Sequence, residues 1–221
     1  MIKKNTISYR KKKILSITLI NPDVYILKFA RFSEFKAGQM VRLAIEKDGT
    51  SRLYSIASGE KEDEISILFD EKPGGALTPL LSRLKSGDEI WCSEPFGTFV
   101  CKPGRGIWIA TGTGIAPFVS MALSNQADGK ILIHGGRTQN LFYYNNVLET
   151  VLRKNYIRCC SGENVPGIYF GRLTHYLQNL NQLDVNQMFY LCGNAEMVVE
   201  TRDILINKGV HFDNIVSEIY F

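Results

Sequence analysis

No apolar run in the 221-residue sequence approaches the ~20 residues that a membrane-spanning helix requires, so membrane insertion is not expected. The cysteines, Cys92, Cys101, Cys159, Cys160 and Cys192, are odd in number and contain no C-x-x-C pair. That spacing argues against a disulfide framework and against a zinc or iron–sulfur centre, and the expected compartment is the reducing cytoplasm. Histidine is scarce: His134, His175 and His211 have neither metal-ligand spacing nor a nucleophile partner, so no metal is expected. Charge of one sign is scarce as well. The net +4 is concentrated in Lys3, Lys4, Arg10, Lys11, Lys12 and Lys13, either a surface that steers an acidic partner or a solvated terminus. These residues lack interleaved aromatics and a recognition motif, so nucleic acid is not an expected partner. Residues 14–20 imitate a secretion signal but contain Ser16 and Thr18 and run into Asn21-Pro22-Asp23 with no small-residue cleavage site; they are expected to form a strand. There is no internal repeat and no low-complexity segment.

What is present is an ordinary globular composition, 45% hydrophobic and 22% charged, in a chain long enough for two compact domains. Up to residue 101, short runs rich in Val, Ile, Leu, Tyr and Phe alternate with turn residues at intervals of about ten, which predicts antiparallel strands. Residues 24–29, 40–45, 65–69 and 89–92 are examples, with one short helix over 77–84. A small closed barrel removes the open edges that such strands would otherwise present. After Lys102-Pro103-Gly104-Arg105-Gly106 the pattern changes. Apolar strands at 107–110, 130–134, 156–159 and 188–192 alternate with helices at 117–124, 141–154, 173–180 and 195–207, predicting a parallel sheet with helices on both faces. The expected fold is therefore a two-domain β + α/β architecture, with domains over 1–101 and 102–221.

Such sheets bind ligands beyond the carboxyl ends of their strands. Thr111-Gly112-Thr113-Gly114-Ile115-Ala116-Pro117 lies there, as does Cys192-Gly193-Asn194-Ala195-Glu196-Met197. Glycines at these junctions admit a dinucleotide close to the backbone, with free amides and the helix dipole facing its pyrophosphate. The first loop matches neither a P-loop nor G-x-G-x-x-G, so a plain strand-to-helix turn stays open, and Cys192 could equally be a small buried hydrophobe. In the barrel half, Arg52-Leu53-Tyr54-Ser55 offers a cation, an aromatic face and a hydroxyl within one strand.

Taken together, Lys36-Ala37-Gly38-Gln39-Met40, Arg52-Leu53-Tyr54-Ser55, Gly74-Gly75-Ala76-Leu77-Thr78, the Gly112 loop and the Cys192 segment resemble the ferredoxin–NADP reductase family in order and approximate spacing. The resemblance spans nearly the whole chain. Glu94-Pro95-Phe96-Gly97-Thr98-Phe99 and the ending Glu218-Ile219-Tyr220-Phe221 look like the compact bacterial members. It implies an antiparallel Greek-key β-barrel that binds FAD, joined to a nucleotide-binding α/β domain. Hydride would pass from NADPH, with NADH as the alternative, to FAD, and electrons onward to an external acceptor, ferredoxin or flavodoxin. The alternatives are free flavin, a quinone or an oxygenase or haem partner as acceptor, or a non-catalytic FAD-binding module that responds to redox state.

By the same resemblance Arg52 would pair with an FAD phosphate, Tyr54 would stack on the flavin, and Leu53 would line that strand. Gly74, Gly75, Ala76, Leu77 and Thr78 would cover the pyrophosphate, with Thr113, Tyr220 and Phe221 completing the FAD site. Gly112, Thr113, Gly114, Gly193, Asn194 and Met197 would hold the nicotinamide nucleotide, with Cys192 beside its ring. Ser55, Cys192 and Glu218 are the expected catalytic residues, Glu218 relaying a proton through Ser55. Arg137 and Arg172 match positions that hold the 2′-phosphate of NADPH, but the family's Ser-Arg-Glu segment is Ser161-Gly162-Glu163 here. One phosphate-binding arginine is missing, and Glu163 is placed to repel the phosphate; NADPH remains the expected coenzyme, and the protein is expected to be a monomer.

Overall fold

The computed structural model describes residues 8–220. Strands β1 (Tyr9–Asn21), β2 (Val24–Ala30), β3 (Met40–Ala44), β4 (Ser51–Ser55), β5 (Glu64–Asp70) and β6 (Glu89–Ser93) form one sheet in the order β4-β3-β6-β1-β2-β5. Every pairing in it is antiparallel, and an Ile56–Ile67 bridge joins the two end strands, which closes the barrel. Neither β2 and β3 nor β5 and β6 are neighbours, so the chain crosses twice in Greek-key fashion. Alternation places Ile14, Leu27, Phe29, Val41, Leu43, Ile65, Ile67 and Ile90 inside, each 1% exposed or less. The short helix is narrower than expected, α1 (Thr78–Leu81).

The basic start is not a tail from Tyr9 onward. Arg10 pairs with Glu94 at 2.6 Å, Lys11 pairs with Glu89 at 2.7 Å, and the Lys12 ammonium lies 3.9 Å from the centre of the Phe32 ring. These residues belong to β1, where alternation and β6 fix them; Lys3 and Lys4 lie outside the described residues.

The second half holds β7 (Gly106–Thr111), α2 (Ala116–Leu123), β8 (Lys130–Gly136), α3 (Asn145–Leu152), β9 (Tyr156–Cys160), β10 (Tyr169–Phe170), α4 (Leu173–Gln178), β11 (Met188–Asn194), α5 (Ala195–Asn207) and β12 (Ile215–Tyr220). Its sheet is parallel throughout, in the order β10-β9-β8-β7-β11-β12. Period-two alternation sends Trp108, Leu132 and Tyr190 to the face covered by α2 and α3, and Ile107, Ile133 and Phe189 to the face covered by α4 and α5. Helix α3 is shorter than the expected 141–154. Tyr144 adopts a left-handed φ of 57° at its head, and separate 3-10 turns occupy Gln139–Leu141 and Arg153–Asn155. Strand β12 was not anticipated, although Ile215, Val216, Ile219 and Tyr220 carry the β-branched and aromatic signal for one.

The sheet order reverses between β7 and β11, and such a reversal leaves a crevice at the carboxyl ends of the two strands. The two halves share one buried cluster: Ala37, Ala57, Leu68 and Phe99 pack with Phe118, Val119 and Met121 of α2.

Candidate active site

A cavity of about 800 Å³ runs from the β4 edge of the barrel to the crevice between β7 and β11. Arg52, Leu53, Tyr54 and Ser55 of β4 line it. Across the parallel sheet, register sets Cys192 of β11 beside Glu218 of β12, and Glu218 faces Ser55. Tyr220 Oη donates to Ser55 Oγ at 2.5 Å, and Ser55 Oγ donates to a Glu218 carboxylate oxygen at 2.8 Å. The Cys192 thiol donates to that same oxygen at 3.9 Å. The chain of donors crosses from barrel to sheet.

Burial raises the Glu218 carboxyl above the usual carboxylate range, an effect that the hydrogen bonds from Ser55 and Cys192 oppose. Burial, then the Glu218 charge, pushes the Cys192 thiol well up, so Cys192 is no thiolate. Its side chain is fully buried and forms part of neither cavity's lining, which sets it behind the site rather than on its surface. Burial likewise raises Tyr54, whose hydroxyl is buried without a partner among the described residues while its ring meets Phe69 edge-on at 6.3 Å.

The segment before α1 is partly self-satisfied. Gly75 N donates to Lys72 O at 2.8 Å around Pro73 and Gly74, whose φ of 73° suits the third position of a type II turn. Gly74 serves this turn and does not line the cavity, and the Gly75 amide is committed to it. Thr78 Oγ1 accepts from Lys72 N at 2.9 Å, which leaves the hydroxyl proton free to be donated. Gly75, Ala76, Leu77 and Thr78 line the cavity.

At the crevice, residues Gly112–Ile115 form a 3-10 turn. Gly112 and Gly114 differ. Gly112, at φ 55°, has open space where a Cβ would stand, whereas a Cβ on Gly114 would come within 2.5 Å of Cys192 O and the Gly193 Cα. Gly112 therefore leaves room for a ligand, and Gly114 lets two backbone segments touch. Thr113 and Gly193 also line the cavity. Asn194 lines it too, but its side chain caps α5, accepting from Met197 N at 2.8 Å.

A second cavity, about 330 Å³, adjoins the first through Thr111, Gly112 and Asn194. Arg137, Arg172 and Met197 line it, as do Glu196 and Glu200 of α5. Arg172 lies 3.9 Å from Glu196, and both side chains are exposed. Ser161 lines this cavity and Glu163 does not; the Glu163 carboxylate accepts from Gln139 N at 2.9 Å.

Sequence reasoning missed Arg42, Asp70 and Lys72 in the first cavity and Thr174, Glu196 and Glu200 in the second. Arg42 reaches the cavity because β3 sets it opposite Leu53, a pairing that no local signal carries. Phe221 lies outside the described residues. Cations Arg42, Arg52 and Lys72, an apolar wall with Leu53, Leu68 and Phe69, and the unpartnered Tyr54 hydroxyl fit a long ligand that carries phosphates and a flat polar ring.

Residues 11–101 match the oxidoreductase FAD-binding domain family, and residues 108–203 match the oxidoreductase NAD-binding domain family. The ferredoxin–NADP reductase of Pseudomonas aeruginosa is 34% identical over 236 residues, 90% of this chain and 90% of the relative. Reductase component 1 of terephthalate 1,2-dioxygenase from a Comamonas species is 29% identical, over 94% of this chain and 67% of the relative. A solved ferredoxin NADP+ reductase from Neisseria gonorrhoeae, with bound FAD and NADP, superimposes with a TM-score of 0.87 at 24% identity, covering 98% of this chain and 100% of the other. That likeness is one of fold.

Proposed function

The chain belongs to the ferredoxin–NADP reductase-like family of FAD- and NAD-binding oxidoreductases, and from that premise we propose that it oxidises NADPH and delivers electrons to ferredoxin or flavodoxin. The observation that carries this reading is the hydrogen-bonded run from Tyr220 through Ser55 to Glu218, which bridges the two halves along the wall of the first cavity. FAD, when bound, would supply the chemistry that protein side chains lack, a centre able to take two electrons as hydride and release them singly.

The chain's own residues do the rest. Arg52 and Lys72 would neutralise the FAD phosphates, aided by the Thr78 hydroxyl. Tyr54 and Leu53 would hold the ring system, which could supply the partner that the buried Tyr54 hydroxyl lacks among the described residues. Ser55 presents its hydroxyl at the reacting edge, and Glu218, with its raised affinity for a proton, takes up or returns one through Ser55. Gly112, Thr113 and Gly193 admit the nicotinamide nucleotide to the crevice, and Arg137 and Arg172 bind its 2′-phosphate. Tyr220 would have to release Ser55 if a nicotinamide ring stacked in its place, while Cys192 backs the site as a neutral wall. Holding donor and acceptor in contact contributes on the order of 7 kcal/mol or more in favourable cases.

The functional division falls between residues 101 and 102, and we assign the protein to the cytoplasm as a monomer. No described helix is long and apolar enough to cross a membrane. The Comamonas relative, a dioxygenase reductase component, supports a second choice of acceptor, an oxygenase partner. Stopped-flow reduction of the bound flavin by NADPH and by NADH tests the reading. Fast reduction with NADPH preferred is expected; a protein that takes up no FAD, or holds it without being reduced by either coenzyme, overturns it.

A further inference from the structure

The loop between β4 and β5 lies against the far end of α2, and most of its polar contacts there involve one residue. Glu60 N donates to Ser124 Oγ at 2.9 Å, just beyond α2. One Glu60 carboxylate oxygen accepts from Ala37 N at 2.7 Å and from Gln126 Nε2 at 3.1 Å. Arg31 Nη1 donates to the Glu60 carbonyl. Arg31 and Ala37 belong to the barrel, and Ser124 and Gln126 follow α2. Glu60 therefore ties both halves through backbone and side chain at once.

Its surroundings leave little slack. Ser120 Oγ of α2 donates to Ser58 O at 2.6 Å, and Ser58 Oγ in turn accepts from Ser66 N of β5 at 3.1 Å. A Cβ on Gly59 would stand 3.1 Å from the Leu123 Cβ, so the loop backbone packs closely on the last turn of α2. Helix α2 spans about 12 Å at 1.5 Å per residue. Its head follows the Gly112–Gly114 turn, its tail is bolted to Glu60, and Glu60 lies five residues beyond Ser55, the last residue of β4.

We infer that Glu60 is a positioning residue for the redox reaction, fixing α2 against β4 so that the nicotinamide turn and Ser55 are held at the correct separation. The inference rests on the coenzyme reading proposed above, since it needs a nicotinamide at the Gly112 turn. Glu60 touches neither cavity, so it acts through α2 and the β4–β5 loop alone.

Two variants test it by single-turnover reduction of the FAD-loaded protein over a range of NADPH concentrations. Glu60→Ala is expected to lower the limiting rate about ten-fold or more, as a misplacement approaching an ångström does, with the apparent Kd for NADPH changed less than about two-fold. Glu60→Gln keeps an oxygen for Ala37 N and Gln126 and is expected to restore most of the rate. A separate readout needs no coenzyme: hydrogen exchange at Ala37, Glu60 and residues 120–126 should quicken in Glu60→Ala and not in Glu60→Gln. Should Glu60→Ala fail to fold, Gln126→Ala removes only the α2-side contact of the Glu60 carboxylate, leaving Ser124 on the Glu60 amide, and is expected to lower the rate in the same direction. An unchanged limiting rate in Glu60→Ala, or equal loss in Glu60→Gln, overturns the inference. If the wild-type protein is not reduced at all, the coenzyme reading fails, and the exchange measurement still decides whether Glu60 joins the halves.

Discussion

The barrel and the α/β half build their shares of the cavity from different material. The barrel presents side chains: Arg52, Tyr54 and Ser55 from one strand, with Arg42 beside them on β3. The α/β half presents backbone, because at the crevice it offers Gly112, Gly114 and Gly193 and withdraws Cys192 and much of Asn194 into packing and capping. A side-chain surface loses contacts one at a time when mutated. A backbone surface depends on close approach, so one methyl group displaces the whole turn.

The largest effect is therefore expected at a glycine. In Gly114→Ala the new Cβ would meet Cys192 O and the Gly193 Cα at 2.5 Å, atoms that cannot rotate away. The strain should cost about 1–3 kcal/mol of stability, and a turn displaced by an ångström should slow coenzyme-driven flavin reduction about a hundred-fold. Thermal unfolding and stopped-flow absorbance check both, while FAD should stay bound; loss of FAD with normal reduction of the remainder would erase the contrast between halves. Tyr54→Ala comes next and should act the other way. Removing a ring already packed against Phe69 should weaken FAD retention about ten- to hundred-fold, read by titration of apoprotein, with the α/β half still folded.

The same contrast governs what was legible in the sequence. Strand alternation, glycine at turns and Pro117 at a helix start are local signals, and they located both sheets and the crevice, whereas the family resemblance singled out the cavity-lining residues Arg52 to Ser55 of β4. Relations across space were not legible. Arg42 enters the site only through β3–β4 register, and Glu196 and Glu200 only because α5 leans over the second cavity. The Gly74-Gly75 pair and Asn194 look like ligand-binding residues in sequence, yet the turn at Lys72 and the cap on α5 engage them, since a backbone amide or an Asn side chain satisfies local geometry first.

Acid should also divide the halves. His134, fully buried in the α/β sheet with Nδ1 2.9 Å from the Tyr156 hydroxyl, is held down to about 3 by burial, with Arg158 adding to the effect. Above its ordinary value of 6.5 the ring is neutral whether the chain is folded or not, and its contribution to stability is complete. As pH falls from 6.5 towards 3, the unfolded chain binds a proton that the folded chain refuses, and stability is lost at up to about 1.4 kcal/mol per pH unit. Between pH 7 and 5.5 the wild type should lose more thermal stability than His134→Leu, even though the variant starts lower. Equal slopes would show that another group carries the acid sensitivity.

The smallest expected effect belongs to the second cavity, where the α/β half relies on exposed side chains. Arg172 is 63% exposed and its only ion-pair partner among the described residues is Glu196 at 3.9 Å, a contact worth little to stability in water. Arg172→Ala should therefore leave unfolding unchanged within a few tenths of a kcal/mol. Its cost should appear only when a 2′-phosphate arrives: KM for NADPH rising about ten-fold, as loss of one charged hydrogen bond to phosphate implies, with KM for NADH nearly constant. The neighbouring acids sharpen the test. Glu196→Gln removes a negative charge from the same cavity and should shift preference towards NADPH, opposite in sign to Arg172→Ala. If both variants move the two coenzymes equally, the second cavity does not read the phosphate, and the α/β half recognises its ligand by backbone alone.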